Sequence, residues 1–471
     1  MALPGVKQTI RDGASGALAL GSDLHVKIGI SSEGDELTFK VYSDPDTLAD
    51  DFGGGPLVEA GAYHIQNTGL PVAVVRIAAA DVTDGALGAI TASGAGPTIT
   101  DSVVTASTPV DAYELILEIV AGGAIGAATY RYSVDGGDSY SRAYVTSAAV
   151  VLDDTGIRLD LPEGTYVAGD TYTATCTAPS ASTQGIADAI DAAVSSPVPF
   201  RMLHVIGYGA DAASLATLAT SVQSILAGAE ANDFTYTYAM LEAPDATDAD
   251  LVSGTAAVGT NRVAVTGGFA EIVSPLSQRV YSRPAAWVVV AEIMRRSIAQ
   301  DPGYFAPFGP ALGVTKLARD EFVTPLLDAA RFNTLRTYKG RQGSYVTRGR
   351  IMATSGSDFE NLCNRQVMDV ACAVAYDALL NYVNKDLQVD GATGALVESE
   401  AQAIEAFVLG KLRAAITAPG HASDVQFVLS RTQDVLTTET LKAKTRVLPK
   451  AYSRFIENEL SFRNPAFQAA A

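Results

Sequence analysis

The sequence predicts a mixed α/β (α+β) protein of several domains, and three observations carry that prediction. Residues 24–80 and 184–300 alternate apolar runs of strand length with segments of helical periodicity, the signature of helices packed on a sheet that is parallel in part. Between them, from about Ala80 to Thr183, Ala, Gly, Thr, Ser and Val dominate and the alternation has period two. Beyond residue 356 come two long amphipathic helical patterns and a closing stretch that again reads as strand.

Taken in order, residues 1–22 form a Gly/Ala/Ser-rich arm with one extended stretch, Val6 to Ile10. Leu24 to Ile30 is an apolar strand. Phe52-Gly53-Gly54-Gly55-Pro56 leads into a helix reaching Gln66, because proline at the first helical position loses no hydrogen bond. Pro71 to Ile77 is a buried strand. The α/β domain therefore comprises residues 23–80 and 184–355, interrupted by an inserted β-sandwich domain at 81–183.

Within the insert, Tyr113, Leu115, Leu117 and Ile119 share one face, as do Tyr130, Tyr132 and Val134, then Ile157, Leu159 and Leu161, then Tyr172, Ala174 and Cys176. Asp135-Gly136-Gly137 and Pro162-Glu163-Gly164 supply turns. The α/β pattern resumes with helices at 185–194, 212–227 and 284–299 and strands at 200–206, 234–241 and 262–266.

A C-terminal core domain is expected over 356–440. Its first helix runs from Ser357 or Asp358 to Asn384; its second carries the stripe Ile404, Val408, Leu412, Ile416, with Ser399 and Gln402 at capping-box spacing. The last segment, 441–471, reads as strand twice. Leu441, Ala443, Thr445 and Val447 alternate with Lys442, Lys444 and Arg446, and Ile456, Leu460 and Phe462 alternate with charged residues. Neither run has a hairpin partner beside it, so at least one is expected to pair with a distant part of the chain or with another chain.

Composition narrows the function classes. Hydrophobic content of 48% with 18% charged residues excludes wholesale disorder. Apolar runs such as Ala285 to Ala291 stop short of a membrane span, and the N-terminus lacks the pattern of a secretory signal, so synthesis in a cytosol is expected. The charge of −19 is uneven: residues 1–330 carry 16 Lys+Arg against 38 Asp+Glu, net −22, whereas 331–471 carry 17 against 14, net +3. Most of the surface should repel nucleic acid and anionic lipid, while the C-terminal third could face an acidic protein.

No motif demands chemistry. The glycine run before the first helix lacks a Lys-Ser/Thr and the spacing of a dinucleotide fingerprint, so a tight packing turn is expected. His25, His64, His204 and His421 are scattered, without a metal-binding spacing. Cys176, Cys363 and Cys372 suggest neither metal site nor disulfide framework. Asp44, Asp46, Asp50 and Asp51, and Asp245, Asp248 and Asp250, do not match a calcium loop and suit caps and solvated loops. A nucleophile elbow is absent. Catalytic, cofactor and metal residues are accordingly expected to be none.

Across most of its length the chain resembles the tail sheath proteins of contractile phages and related contractile injection systems. The resemblance lies in Pro4-Gly5-Val6, in Phe52 to Leu57 followed by Gly69 to Ile77, in Arg283-Pro284-Ala285-Ala286 running on to Asp301-Pro302-Gly303-Tyr304-Phe305-Ala306-Pro307, in the helix bearing Asn364-Arg365-Gln366-Val367-Met368, and in Thr445 to Pro449 with Phe455-Ile456-Glu457. It departs from the family pattern at Tyr304-Phe305, where a Trp is common, and at Met352-Ala353-Thr354. The resemblance implies a sheath-type C-terminal core with outward domains, forming stacked hexameric rings around an inner tube and contracting to drive that tube through a cell envelope. It implies no catalysis and no cofactor. Its implied partners are other copies of the chain, the inner tail tube protein, and baseplate and tail terminator proteins, with no nucleic acid and no direct membrane insertion, in a virion tail or injection device assembled in a bacterial cytoplasm.

Under this resemblance Val6, Ile10, Leu441, Ala443, Thr445, Val447, Ile456, Leu460 and Phe462 belong to arms that add strands to neighbouring subunits. Lys411 and Arg413, on the second C-terminal helix, are expected to face an acidic tube, from the charge reversal in the last third. Two rival readings are an α/β enzyme with a β accessory domain and a secreted β-rich surface-layer or adhesin protein.

Overall fold

A computed structural model describes residues 24–152, 154–207 and 211–462. The described residues are 27% helix and 26% strand, and the chain divides after Asn384 into two compact units.

The first unit is built on a six-stranded sheet in the order Val263–Thr266, Ala239–Glu242, Leu203–Val205, Val26–Gly29, Val72–Arg76, Lys40–Tyr42. All neighbours are parallel except Lys40–Tyr42, which runs antiparallel at one edge. Successive connections leave Val26–Gly29 in opposite directions, the doubly wound arrangement. The four strands from Val72–Arg76 across to Ala239–Glu242 are buried along nearly their whole length because both sheet faces are covered, and they enclose Lys27, His204 and Glu242 among their apolar residues.

Each face has its own core. One is formed by Val26, Ile28, Leu203, Val205 and Leu241 with the helices Thr183–Val194 and Ala212–Asn232. The other is formed by Val74, Met202 and Met240 with the helices Pro45–Phe52, Pro56–Thr68 and Ala286–Met294. Ala212–Asn232 is long and apolar enough to cross a membrane by length and composition, which the sequence reading missed; here Leu215, Leu218, Val222 and Leu226 fill the first core.

Helix Pro45–Phe52 was also missed. Asp44 accepts from Thr47 N at 2.9 Å and proline occupies the first turn, two start signals that the acidic run concealed. The glycines ahead of Pro56 make a close-packed turn. Gly55 has φ +123°, and a Cβ there would meet Ile30 O at 3.1 Å and Val110 O at 3.3 Å. Backbone of the insert therefore lies against this turn.

The insert begins and ends as a neck, where Val82–Thr83 pairs antiparallel with Ser180–Ala181. Its larger sheet runs Tyr144–Val145, Thr129–Ser133, Tyr113–Ala121, Thr171–Thr177, Ala86–Leu87. A second sheet joins Ala149–Leu152, Ile157–Asp160 and Thr100–Asp101. Leu115, Leu117, Ile119, Tyr130, Leu159 and Tyr172 are buried between them, as the period-two pattern requires. Asp111 and Arg283, 2.9 Å apart and both buried, tie the insert to the sheet that follows it.

Two hairpins appear where no strand was expected: Phe269–Val273 with Val280–Pro284, and Leu335–Tyr338 with Arg341–Val346. The expected helix at 284–299 accordingly shortens to Ala286–Met294. The helix expected from Ser357 or Asp358 to Asn384 is Leu362–Leu380, and it lies in the first unit, whose boundary after Asn384 falls later than the expected domain start at 356, because the helix's polar face is bonded to the amino ends of the central strands. Arg201 bonds Gln366, Arg262 bonds Asp369 and Glu230, Gln366 donates to Tyr238 Oη at 2.9 Å, and Arg365 pairs with Asp369.

The second unit begins at Lys385. Helix Glu398–Leu412 continues through a π turn, Arg413–Thr417. Ile404, Val408, Leu412 and Ile416 are all buried, together with Val425, Phe427 and Leu429 from strand Asp424–Leu429. The anticipated capping box does not form: the N-cap is Val397, without a side-chain cap, and Ser399 stands inside the helix.

Candidate functional site

The closing strand has a partner within the chain. Ala443–Leu448 pairs antiparallel with Asp424–Leu429 in the register Val425↔Val447 and Phe427↔Thr445. The connection is a loop with the short helix Val435–Thr438 in place of a tight turn, so no turn motif announced the hairpin. Ser430 N donates to Lys442 O at 2.8 Å. By the alternation of antiparallel ladders, the N–H groups of Lys444, Arg446 and Leu448 then point at the partner, and those of Ala443, Thr445 and Val447 at the open edge. Among the described residues, no third strand joins this two-stranded sheet.

This edge is exposed on both faces. Val425, Phe427 and Leu429 are covered by the helix, but only Leu441 and Val447 of the outer run are even partly shielded. Arg431 fixes the loop by bonding Glu398 and Glu405, which hold its guanidinium protonated, and Glu405 also accepts from Leu429 N. Both carboxyls are in turn held below their usual range, first by Arg431.

The expected second tail strand is not formed: among the described residues no strand is assigned beyond Leu448. Ile456, Leu460 and Phe462 are 80%, 86% and 107% exposed. An extended run without a ladder partner has no backbone hydrogen bonds to define it. Val6 and Ile10 lie outside the described residues. Lys411 and Arg413 are exposed, with Lys411 Nζ 5.8 Å from the Phe407 ring, and neither makes an ion pair among the described residues.

In the first unit, three histidines that looked scattered converge on one sheet face. Lys27 and His204 are register partners on adjacent strands, with Nζ 2.9 Å from Nδ1. His204 Nε2 lies 3.2 Å from Glu242 Oε1, which accepts from Trp287 Nε1 at 2.7 Å. His25, two residues before Lys27, meets His64 with ring centroids 4.1 Å apart. All four basic groups are fully buried. Burial pushes Lys27 down to about 7 and Glu242 up to about 7, and it holds the three imidazoles well below their ordinary range. Strand alternation places His25 and Lys27 on one face, but nothing local announces Glu242.

Glu242 reaches the floor of a crevice of about 910 Å³ beside the carboxyl ends of Leu203–Val205 and Ala239–Glu242, walled by Arg283, Trp287 and the neck of the insert. Ligands of doubly wound folds bind at such ends. Here no histidine lines the crevice among the described residues, and burial pushes the lining Cys176 thiol up to about 11, protonated at neutral pH. The glycine turn offers no phosphate cradle, being packed against Val110. Of the acidic clusters, Asp44 caps a helix as expected, whereas Asp248 stands in the first turn of a helix capped by Thr247 and pairs with Arg319. No group of three metal-ligating side chains occurs among the described residues.

A family model described as DUF2586, N-terminal domain, matches residues 3–350. No curated protein sequence matches the chain. Among solved structures, a chain from the contracted helical sheath of the anti-feeding prophage (AFP) matches with TM-score 0.52 at 12% identity, over 98% of this chain and 99% of that one. A chain from the contracted sheath complex of an extracellular contractile injection system, PVC, matches with TM-score 0.53 at 10% identity, over 98% of each. One from the AFP baseplate in the contracted state reaches TM-score 0.55 at 13% identity, again over 98% of each. The chain therefore has the fold found in these contractile assemblies, along almost its whole length.

Proposed function

We propose that this chain, which belongs to the DUF2586 family, is a structural subunit of a contractile sheath. It polymerises as stacked hexameric rings around an inner tube, associates with baseplate and terminator proteins, and contracts to drive the tube through a cell envelope. The observation that carries this reading is the fold shared over 98% of the chain with the contracted AFP and PVC sheath structures. The open edge of Ala443–Leu448 supports it, since an unpaired edge is a hazard in a monomer and a donor in a polymer.

In this reading the segment 441–471 and the stretch Val6 to Ile10 join subunits by strand addition. Main-chain hydrogen bonds then persist while the bodies rotate between two packings. The exposed Lys411 and Arg413 face the tube. No nucleotide is required if the extended state is metastable.

Negative-stain microscopy of the purified chain is the primary test. Hollow cylinders or helical tubes are expected. Removal of residues 441–471 should leave soluble protein that forms none, and normal polymers from that truncation would sink the reading. Reversal of Lys411 and Arg413 to Glu should weaken assembly around tubes in a salt-dependent way.

A further inference from the structure

The hairpin Leu335–Tyr338/Arg341–Val346 concentrates features that the fold does not use. It roots at one edge of the central sheet, where Asn333 N donates to Val265 O and Gly267 N to Asn333 O, a parallel bridge on the outer side of the Val263–Thr266 strand. Two residues later the hairpin starts, and Lys339-Gly340 turns it. Arg336, Lys339 and Arg341 make no ion pair among the described residues, although the carboxyl of Asp320, held down despite its burial by bonds from Thr337, is held down further by the field of Arg336, whereas Arg348 and Arg350 just beyond are both paired directly with Asp328. That is unusual in a unit whose carboxylates far outnumber its cations.

Two of these cations, Arg336 and Arg341, are held in place by rings. Arg336 lies 4.3 Å from the Tyr338 ring and Arg341 lies 5.1 Å from the Phe305 ring. Phe305, Tyr338 and Tyr345 pack together with centroids 4.8 to 5.3 Å apart. Arg336 is also 5.6 Å from the ring of Phe322, which is 51% exposed, and the next residue, Val323, is 71% exposed. Arginine fixed on aromatics with an apolar margin is the composition of an interface centre.

The complement lies at the opposite edge of the same sheet. Helix Pro45–Phe52 follows the edge strand Lys40–Tyr42, and it exposes Asp46 and Asp50 one turn apart. Neither makes an ion pair among the described residues; Asp44 is spent on the cap, Asp51 accepts from Tyr42 Oη, and Lys40 is taken by Asp35. The six strands and the Asn333 bridge beyond them, at roughly 4.8 Å spacing, put the two roots about 29 Å apart. Patches of opposite sign rooted at opposite edges cannot satisfy each other within one body. Between copies they form a head-to-tail contact that repeats.

We infer that Arg336 and Arg341 of one copy dock on Asp46 and Asp50 of the next, a lateral contact between first units. This rests on the sheath reading and adds to it a contact that involves neither arm. The test is charge exchange in the full chain. Arg336→Glu with Arg341→Glu should raise the concentration needed for assembly about tenfold, as should Asp46→Lys with Asp50→Lys, and the chain carrying all four changes should regain assembly. As a measurement that a folding defect cannot mimic, Arg341→Cys and Asp50→Cys chains are mixed under mild oxidation. A cross-linked dimer is expected from the mixture and not from either alone.

Wild-type protein that never polymerises would overturn the sheath reading and this contact with it. Polymers indifferent to both reversals overturn the contact alone. So does a hairpin reversal that stops assembly and is not rescued by the helix reversal, because the acidic partner is then some other surface.

Discussion

Lys27 and His204 face each other across adjacent parallel strands, Nζ 2.9 Å from Nδ1, with no solvent access to either. Such a pair is held in a low-dielectric core by Glu242, the group whose charge favours the ammonium form. The pair thus opposes its own burial, and that opposition can be measured.

Burial pushes Lys27 down from its ordinary value of 10.5 to about 7 in the fold. The unfolded chain therefore binds the proton more tightly, and stability should rise with pH between about 7 and 10 by up to about 1.4 kcal/mol per pH unit. Glu242, raised to about 7, acts in the other window: its contribution is present below about 4.5 and lost as pH rises towards 7. Urea unfolding of wild type and Lys27→Met at pH 7.5 and 9.5 tests this. The substitution should flatten the alkaline slope, and equal slopes would show that Lys27 keeps its proton in the fold.

Arg262 reaches Glu230, Asp369 and Thr237 O from the start of its strand and is 1% exposed. Arg262→Met keeps the packing volume but leaves Asp369 with Arg365 as its remaining counter-charge. Because Asp369 keeps that partner and Glu230 is part-exposed, the loss should be about 1–3 kcal/mol, the cost of leaving buried hydrogen-bonding groups unpaired. Chemical denaturation should show that loss, and a change below about 1 kcal/mol would mean that water replaces the guanidinium.

Gly55 and Gly69 both have positive φ, +123° and +67°, but differ in surroundings. At Gly69 a Cβ meets nothing within 4 Å, so Gly69→Ala should cost about 1 kcal/mol from backbone conformation alone. Gly55→Ala adds the approach to Ile30 and Val110 and should cost clearly more. Equal melting temperatures for the two variants would contradict the close packing of the insert against this turn.

Thr445 presents its N–H to the open edge of the closing strand. Thr445→Pro should leave the hairpin with Asp424–Leu429 intact, yet remove one main-chain donor from a strand added there. The expected outcome is a folded monomer by circular dichroism with polymer formation lost under microscopy. Unimpaired polymers would mean that the joining strand lies elsewhere in the tail.

Local periodicity by itself determined much of this protein. Period two in the insert placed Leu115, Leu117 and Leu159 inside, and period 3.6 placed Ile404, Val408, Leu412 and Ile416 on one buried stripe, because each pattern records which face of an element meets a core. The family resemblance was likewise legible, spread over short stretches from Pro4 to Glu457. The tertiary structure alone decided the rest. Asp424–Leu429 closed on Ala443–Leu448 over a loop with no turn signature, the hairpin at Leu335–Val346 formed in a stretch without strand patterning, and Lys27, His64, His204 and Glu242 came together from four separate elements. Pairing across long loops is chosen by what else the strand could bury or bond to. That choice is made by the whole fold and leaves no periodic trace in the residues themselves.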